Sequence, residues 1–253
     1  MSHASVDPLD GQVAITTGAS SGLGRATALA LARAGADVAL LARTATDLEQ
    51  AAQDVRSVGR RALPIAVDLA REAEVFAAVE RVVGEFGRVD ILVNAGATDV
   101  PGPIAELSVE GWDRVLAVNL RAPFILAKAT LPHMQRARHG TIVNVSSVAG
   151  KRGWANAAAY CASKFGLTGL TQSLAAEARE HGVRACIVYP GGMATSWGAW
   201  SAAEREARAT DPSPSEALPP EDVAAFVAWL ASAPPEVVVN EAIVTPLHER
   251  GWP

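Results

Sequence analysis

Residues 13–24, Val13-Ala14-Ile15-Thr16-Thr17-Gly18-Ala19-Ser20-Ser21-Gly22-Leu23-Gly24, read as a short apolar strand running into a glycine-rich turn and the start of a helix. Val13 to Thr17 supplies the strand. Glycines 18, 22 and 24 allow a tight turn and let a pyrophosphate come close to the backbone, because no Cβ stands in the way. From Gly22 onward, Leu23, Ala26, Thr27, Ala30, Leu31 and Ala34 recur at helical spacing, and Gly35 stops the helix. The amides of its first turn then favour an anion. The spacing is G-x-x-x-G-x-G rather than G-x-G-x-x-G, and glycine corners are common in α/β proteins, so the turn gains meaning only from its surroundings.

Working outward, the next strand, Asp37 to Ala42, ends at Arg43, about twenty residues beyond the glycines. An acid at that place holds the ribose hydroxyls of NAD, whereas an arginine accommodates a 2′-phosphate. Arg43 therefore favours NADP(H) over NAD(H). Helical patterning follows at Leu48, Ala51, Ala52 and Val55, then a strand from Ala62 to Val67 that ends at Asp68-Leu69. Asp68 suits either the adenine edge or the cap of a helix starting near Arg71. That helix carries Val75, Ala78, Val79, Val82, Val83 and Phe86, and the strand Val89 to Val93 delivers Asn94-Ala95-Gly96-Ala97.

A turn-rich loop, Thr98 to Pro103, leads to a helical stretch from Ser108 to Arg136, in which Pro123 and Pro132 predict interruptions. Asn119 sits in its middle, where helix propensity alone would not place an asparagine. A buried strand from Thr141 to Ser146, a helix from Tyr160 to about His181 ended by Gly182, and an apolar strand from Val183 to Tyr189 come next. Then come a loop and short helix between Ser196 and Pro220, a helix from Glu221 to Ala231 and a last strand from Val237 to Thr245. Strands alternating with helices at this rhythm predict a parallel sheet covered by helices on both faces.

The stretch from Asn144 to Lys164 holds the chemistry. Tyr160 and Lys164 stand four apart and so share one helix face. A phenol titrates near pH 10, and an ammonium beside it favours the phenolate; a shift of about three units represents roughly 4 kcal/mol. The preceding strand brings Ser146 and Ser147 to its C-terminal end, the edge where open α/β sheets bind ligands. A Tyr-x-x-x-Lys pair alone is more often a surface stack than a catalytic unit.

Composition narrows the function classes. The chain has 253 residues, 49% hydrophobic and 19% charged, enough to bury a large core in one domain over residues 11–253, after a flexible tail over residues 1–10. A net charge of -5 and scattered arginines give no footprint for nucleic acid. No run approaches the length of about eighteen apolar residues that a membrane helix needs, and no apolar signal core opens the chain. Two cysteines, Cys161 and Cys186, suit a reducing, cytoplasmic setting, and the histidines show no metal-ligand spacing.

Taken together, the motifs resemble those of the short-chain dehydrogenase/reductase family over nearly the whole chain. They fall in order: T-G-A-S-S-G-L-G, Asp68, N-A-G at Asn94 to Gly96, Asn119, the serine pair, Y-C-A-S-K at Tyr160 to Lys164, and P-G at Pro190. The resemblance implies a doubly wound, Rossmann-type, mostly parallel seven-stranded sheet and an NADP(H)-dependent reaction that moves a hydride between nicotinamide and a carbonyl or secondary alcohol. It selects Ser147, thirteen residues before the tyrosine, as the serine that binds the carbonyl oxygen. Tyr160 is then the general acid/base, Lys164 its partner and a holder of the nicotinamide ribose, and Asn119 the residue that positions a proton-relaying water.

The dinucleotide would lie along Gly18, Ser20, Ser21, Gly22, Leu23, Arg43, Asp68, Leu69, Asn94, Ala95, Gly96, Tyr160, Lys164, Pro190, Gly191, Gly192 and Thr195. Trp154, Met193, Trp197 and Trp200 fall where the family builds its pocket walls, within a substrate loop of about residues 193–220, and suit an aromatic or alicyclic carbonyl. The family's assembly implies a homotetramer through the helices from Ser108 and from Asn156, with a dimer as the alternative. The C-terminal tail, residues 246–253, departs from the family's D-G-G ending, and its Trp252 suits a partner subunit or the substrate mouth. Two other functions compete: a catalytically silent dinucleotide sensor and, more remotely, a nucleotide-sugar epimerase or dehydratase.

Overall fold

Seven strands pair in parallel in one sheet of order β3-β2-β1-β4-β5-β6-β7. They are β1 (Val13–Thr17), β2 (Asp37–Ala42), β3 (Ala62–Ala66), β4 (Ile91–Asn94), β5 (Gly140–Val145), β6 (Val183–Pro190) and β7 (Glu241–Val244). The structure is a computed structural model and describes residues 7–195 and 217–248. Between β1 and β4 the strand order reverses, which opens a crevice at the carboxyl edge of the sheet.

Side chains along each strand alternate between two apolar layers, as the period of two demands. Ala14, Val38, Leu40, Ile91, Val93, Val143 and Val188 face one layer, built with α1 (Gly22–Arg33), α2 (Ala45–Ser57) and α7 (Pro220–Ser232). Val13, Ile15, Ala39, Leu41, Leu92 and Ile142 face the other, built with α3 (Glu72–Phe86), α5 (Ala122–Ala137) and α6 (Ala158–Ala178). The near-continuous apolar strands are thus explained by burial on both faces. Leu31 of α1 is completely buried, and truncating such a side chain to alanine typically costs about 2–5 kcal/mol.

The stretch expected as one interrupted helix is α4 (Val109–Leu116), a π-helical turn (Ala117–Arg121) and α5. Ser108 caps its start, its side chain accepting the Gly111 N–H at 3.0 Å. The irregularity comes just ahead of the expected Pro123 and is centred on Asn119, whereas the expected Pro132 leaves α5 unbroken. Pro123 has no N–H to give the Asn119 carbonyl, which removes the α-helical bond at that place. Pro132 continues α5 on its exposed side, where the Lys128 carbonyl that it fails to serve is on a solvent-facing residue.

By length and composition the run Val109–Ala137 could cross a membrane, although the sequence suggested no such segment; half of its apolar window is buried in this fold. Its residues Val118, Ala122, Ile125 and Leu126 belong to the second core layer.

At the chain start, residues 7–10, expected in the flexible tail, are packed instead. Leu9 is fully buried, its N–H bonds the Ala34 carbonyl at 2.9 Å, and Arg60 pairs with both Asp7 and Asp10 at 2.6 Å. Residues 1–6 and 249–253, with Trp252, lie outside the described residues. So does 196–216, which carries most of the expected substrate loop with Trp197 and Trp200. The loop's two ends are joined: the Ala194 N–H bonds the Leu218 carbonyl at 2.8 Å, and the Leu218 N–H bonds the Gly192 carbonyl at 2.9 Å.

Candidate active site

The glycine turn is built by what it leaves out. A Cβ on Gly24 would lie 2.2 Å from the Gly18 carbonyl oxygen, and one on Gly18 would lie 2.8 Å from the Gly96 Cα. Gly18 also has φ +67°, in the left-handed region. The turn therefore closes against the end of β4, where the Gly96 N–H donates to Thr17 Oγ1 at 2.9 Å. At the start of α1 the Ser21 side chain makes no capping bond, so it leaves the first-turn amides to another acceptor. Thr195 closes over the turn, its Cβ and Cγ2 3.4 Å from where a Gly22 Cβ would be.

The other residues expected at a dinucleotide take several parts. Leu23 is buried in the first core layer, which leaves only its backbone to face a ligand. Leu69 is buried in the second layer, its Cδ1 2.7 Å from where a Gly96 Cβ would stand. Arg43 is exposed at the end of β2. Asp68 does not cap α3; its Oδ1 accepts the Ala70 N–H at 3.0 Å and its Oδ2 accepts from Arg114 Nη1 at 2.9 Å. The Arg114 guanidinium first, then the Ala70 amide and the charge of Arg43, hold that carboxyl below the usual range against the opposing effect of burial. Asn94 is buried with its Nδ2 donating to Asn144 Oδ1 at 2.8 Å, and its own Oδ1 finds no partner among the described residues. Gly191 and Gly192 are fixed at the end of β6 by backbone bonds to Val244 and Leu218 at 2.9 Å each.

A steric cradle without side chains, uncapped helix amides and an unsatisfied buried acceptor at the sheet's switch point suit a phosphate-bearing, hydroxyl-rich dinucleotide.

Across the crevice, Ser147 begins the 3-10 turn Val148–Gly150 and accepts the Ala149 N–H at 3.1 Å. Its hydroxyl also hydrogen-bonds the phenol of Tyr160. Lys164 lies one helical turn on from Tyr160, almost wholly buried; its Nζ donates to the Val145 carbonyl at 2.8 Å and stands 5.5 Å from the centre of the tyrosine ring. The structure thus brings the serine, phenol and amine together at the end of β5.

Their protonation differs from the expectation. Burial, the largest cause, pushes the Tyr160 phenol up, Asp99 and Cys161 add to the rise, and the Ser147 hydroxyl opposes it. Burial likewise pulls the Lys164 ammonium down to about 7. Both shifts have one physical origin, the cost of holding a charge away from water. Burial thus weakens the very ammonium that the sequence assigned to lowering the phenol.

The Asn119 side chain is engaged by the protein itself: Oδ1 accepts the Thr98 N–H and Nδ2 donates to the Thr98 carbonyl, both at 2.8 Å. The same Nδ2 donates to Ser163 Oγ at 3.1 Å, and that hydroxyl donates to the Tyr160 carbonyl at 2.7 Å. Asn119 therefore clamps the loop after β4 onto the helix that carries the tyrosine.

The sequence reading passed over Ser163 and Thr98, although Ser163 stands within the Y-C-A-S-K motif; neither has a signal until Asn119 is seen beside it. Gly150 was missed too. A Cβ there would lie 2.4 Å from Ser146 Oγ and 3.0 Å from the Lys164 carbonyl, so only glycine lets the serine-bearing turn rest on α6. Of the expected pocket residues, Trp154 is exposed on the loop before α6, and Met193 is partly buried against the first core layer.

Known proteins resemble this chain over most of its length. Residues 12–206 match the family model of the short chain dehydrogenases. The cis-4-hydroxycyclohexanecarboxylate dehydrogenase of Sinomonas cyclohexanicum is 39% identical over 231 residues, covering 90% of this chain and 92% of its own. The D-threitol dehydrogenase of Mycolicibacterium smegmatis is 38% identical over 226 residues, covering 88% and 87%. Among solved structures, a metagenomic short-chain oxidoreductase in complex with NADP superposes with a TM-score of 0.82 at 36% identity, over 94% of this chain and 98% of its own. With a family model covering most of its length and relatives aligned almost end to end, this chain belongs to the short-chain dehydrogenase/reductase family of oxidoreductases.

Proposed function

We propose that this protein is an NADP(H)-dependent alcohol dehydrogenase or carbonyl reductase acting on a small secondary alcohol or its ketone, with one domain over residues 11–253 carrying both cofactor and substrate. The observation that carries this reading is the meeting of Ser147, Tyr160 and Lys164 at the end of β5, opposite the glycine turn. A bound nicotinamide dinucleotide supplies or accepts the hydride in this chemistry. The glycine turn, the α1 amides, Asn94 and Thr195 would hold it. Arg43, exposed at the end of β2, would meet a 2′-phosphate, and the structural relative bound to NADP supports that preference.

The chain's own groups handle the proton. Ser147 donates a hydrogen bond to the substrate oxygen as charge gathers there. Tyr160 holds its proton at neutral pH because burial disfavours the phenolate, which equips it as the general acid of carbonyl reduction. Lys164, brought to about 7 by burial, exchanges a proton near the working pH and resupplies the phenol. Asn119 keeps the loop and helix in register, and its main-chain carbonyl, lacking an α-helical donor at Pro123, is the place where a relaying water would bind.

The half-exposed Phe124 and Phe165 on α5 and α6 support assembly through these helices, as a homotetramer or a dimer, in the cytoplasm.

The test is Tyr160→Phe. Ketone reduction falls by about a hundredfold to ten-thousandfold, while the NADPH dissociation constant, read by fluorescence titration, holds. Activity lost in step with NADPH binding would make Tyr160 a structural residue and overturn the reading.

A further inference from the structure

Ser147 opens a turn, residues 147–151, that is closed by its own hydrogen bonds. Within it the Ala149 N–H bonds Ser147 Oγ at 3.1 Å, the Gly150 N–H bonds the Ser147 carbonyl at 2.8 Å, and the Lys151 N–H bonds the Val148 carbonyl at 3.0 Å. Whatever holds Lys151 therefore also holds Ser147.

The far end of the turn is tied to the last strand. Lys151 Nζ donates to Glu241 Oε2 on β7, and Gln172 Nε2 of α6 donates to the other carboxylate oxygen, Oε1, at 2.8 Å. Glu241 stands opposite Ile187 in the ladder, so its side chain shares a face of the sheet with Ile187 and Tyr189. The Lys151 ammonium also lies over the Tyr189 ring, 4.4 Å from its centre, and Tyr189 is completely buried. With the two charged side chains 27% and 31% exposed, the pair is partly sheltered, which spares it much of the screening that an open surface pair meets. Glu241 accordingly lifts the Lys151 ammonium above its usual range against the opposing effect of burial, and Lys151, then Gln172, hold the Glu241 carboxyl below its own.

A second chain of contacts runs beneath the turn. Tyr189 Oη donates to Thr168 Oγ1 at 3.2 Å, and that hydroxyl donates to the Lys164 carbonyl at 3.1 Å and faces the Gly150 carbonyl at 3.5 Å. Tyr189 thus meets Lys151 with its ring and, through Thr168, the helix turn that carries Lys164.

We infer that Lys151, clamped by Glu241 and Tyr189, is a positioning residue for Ser147: it fixes the turn from which the serine hydroxyl is aimed at the substrate oxygen. The inference rests on the oxidoreductase reading above and adds the device that holds its serine. A hydrogen bond to a developing charge is worth most when its donor is already in place, and a shift of about 1 Å costs up to about a hundredfold in rate.

The experiment follows single-turnover reduction of cyclohexanone by NADPH in the wild type, Lys151→Met, Ser147→Ala and the double variant, with NADPH affinity read by fluorescence titration. Lys151→Met keeps an apolar stem over Tyr189 and loses the ammonium. With Ser147 present it slows reduction by about tenfold to a hundredfold, while NADPH affinity holds. In the Ser147→Ala background the same substitution changes the rate by no more than about twofold, because residues that act as a unit do not add. Lys151→Arg, which still brings a charge to Glu241, recovers most of the lost rate.

Glu241→Gln takes the place of Lys151→Met, with the same pattern expected, if that protein does not fold. An equal slowing in both backgrounds would make Lys151 a general support of the fold, and an unchanged rate in Lys151→Met would remove its role. Either result overturns the inference and leaves the oxidoreductase reading standing. A wild type that neither reduces cyclohexanone or any other ketone nor oxidises an alcohol overturns both.

Discussion

The glycine turn between β1 and α1 and the catalytic unit between β5 and α6 lie at the same edge of the sheet and are built on opposite principles. The first is steric: would-be side chains at Gly18 and Gly24 run into backbone, and no titratable group is needed to hold its shape. The second is electrostatic: a lysine and a tyrosine are held away from water, and burial displaces the proton affinity of both. Geometry that depends on missing atoms should respond to added volume and ignore pH. Geometry that depends on buried charge should do the reverse.

The contrast is broken most severely at Gly24. In Gly24→Ala the new Cβ, 2.2 Å from the Gly18 carbonyl, forces the turn and helix apart at a cost of about 3 kcal/mol or more, with loss of NADPH binding. Gly59→Ala, at φ +84° in open space, pays only the backbone term of about 1–2 kcal/mol. Urea unfolding of the two variants measures the gap, and equal costs would remove the steric account.

Lys164 carries the other side of the comparison. Its amine titrates near 7 in the fold and at 10.5 without it, so between those values the unfolded chain binds more protons and stability rises with pH. The burial cost is fully present below pH 7 and is relieved on the way to pH 10. Relative to Lys164→Met, the wild type gains about 2 kcal/mol between pH 7 and pH 9. Parallel urea midpoints at the two pH values would show an ordinary, solvated ammonium.

Asn119 joins the loop after β4 to the catalytic helix through Thr98 and Ser163, so Asn119→Ala frees that loop without touching the glycine turn. Turnover drops by about tenfold to a hundredfold, the equivalent of one or two buried hydrogen bonds. NADPH affinity moves much less, and an equal loss in both would place Asn119 in the cofactor cradle. The smallest effect is at Arg43. Removing its side chain weakens NADPH by about tenfold, a charge-assisted contact of roughly 1.5 kcal/mol, and leaves NADH nearly unchanged. Equal loss for both cofactors would mean that the arginine serves the fold.

The same contrast explains what could be read from the sequence. The strands Val13–Thr17 and Asp37–Ala42 appear within their expected limits because both are apolar on two faces and end at sharp turns. The last strand was expected from Val237 but pairs only from Glu241, opposite Ile187. Apolar composition did not reveal that the Val237 carbonyl is taken by Arg184 Nη1 at 3.0 Å, which keeps that segment out of the ladder. Asn119 was legible as an oddity in a helix, but its partners Thr98 and Ser163 come from distant places in the chain. Ser147, Tyr160 and Lys164 were legible as residues through their spacing. Their protonation was not, since spacing predicts who is adjacent and burial decides who is charged.

The most direct test of the central claim is a crystal structure of Tyr160→Phe with NADPH and cyclohexanone bound. The account predicts the carbonyl oxygen at hydrogen-bond distance, about 3 Å, from Ser147 Oγ and facing the edge of the ring at position 160. A ketone bound with its oxygen turned away from Ser147, or seated outside the crevice between the glycine turn and α6, would contradict it.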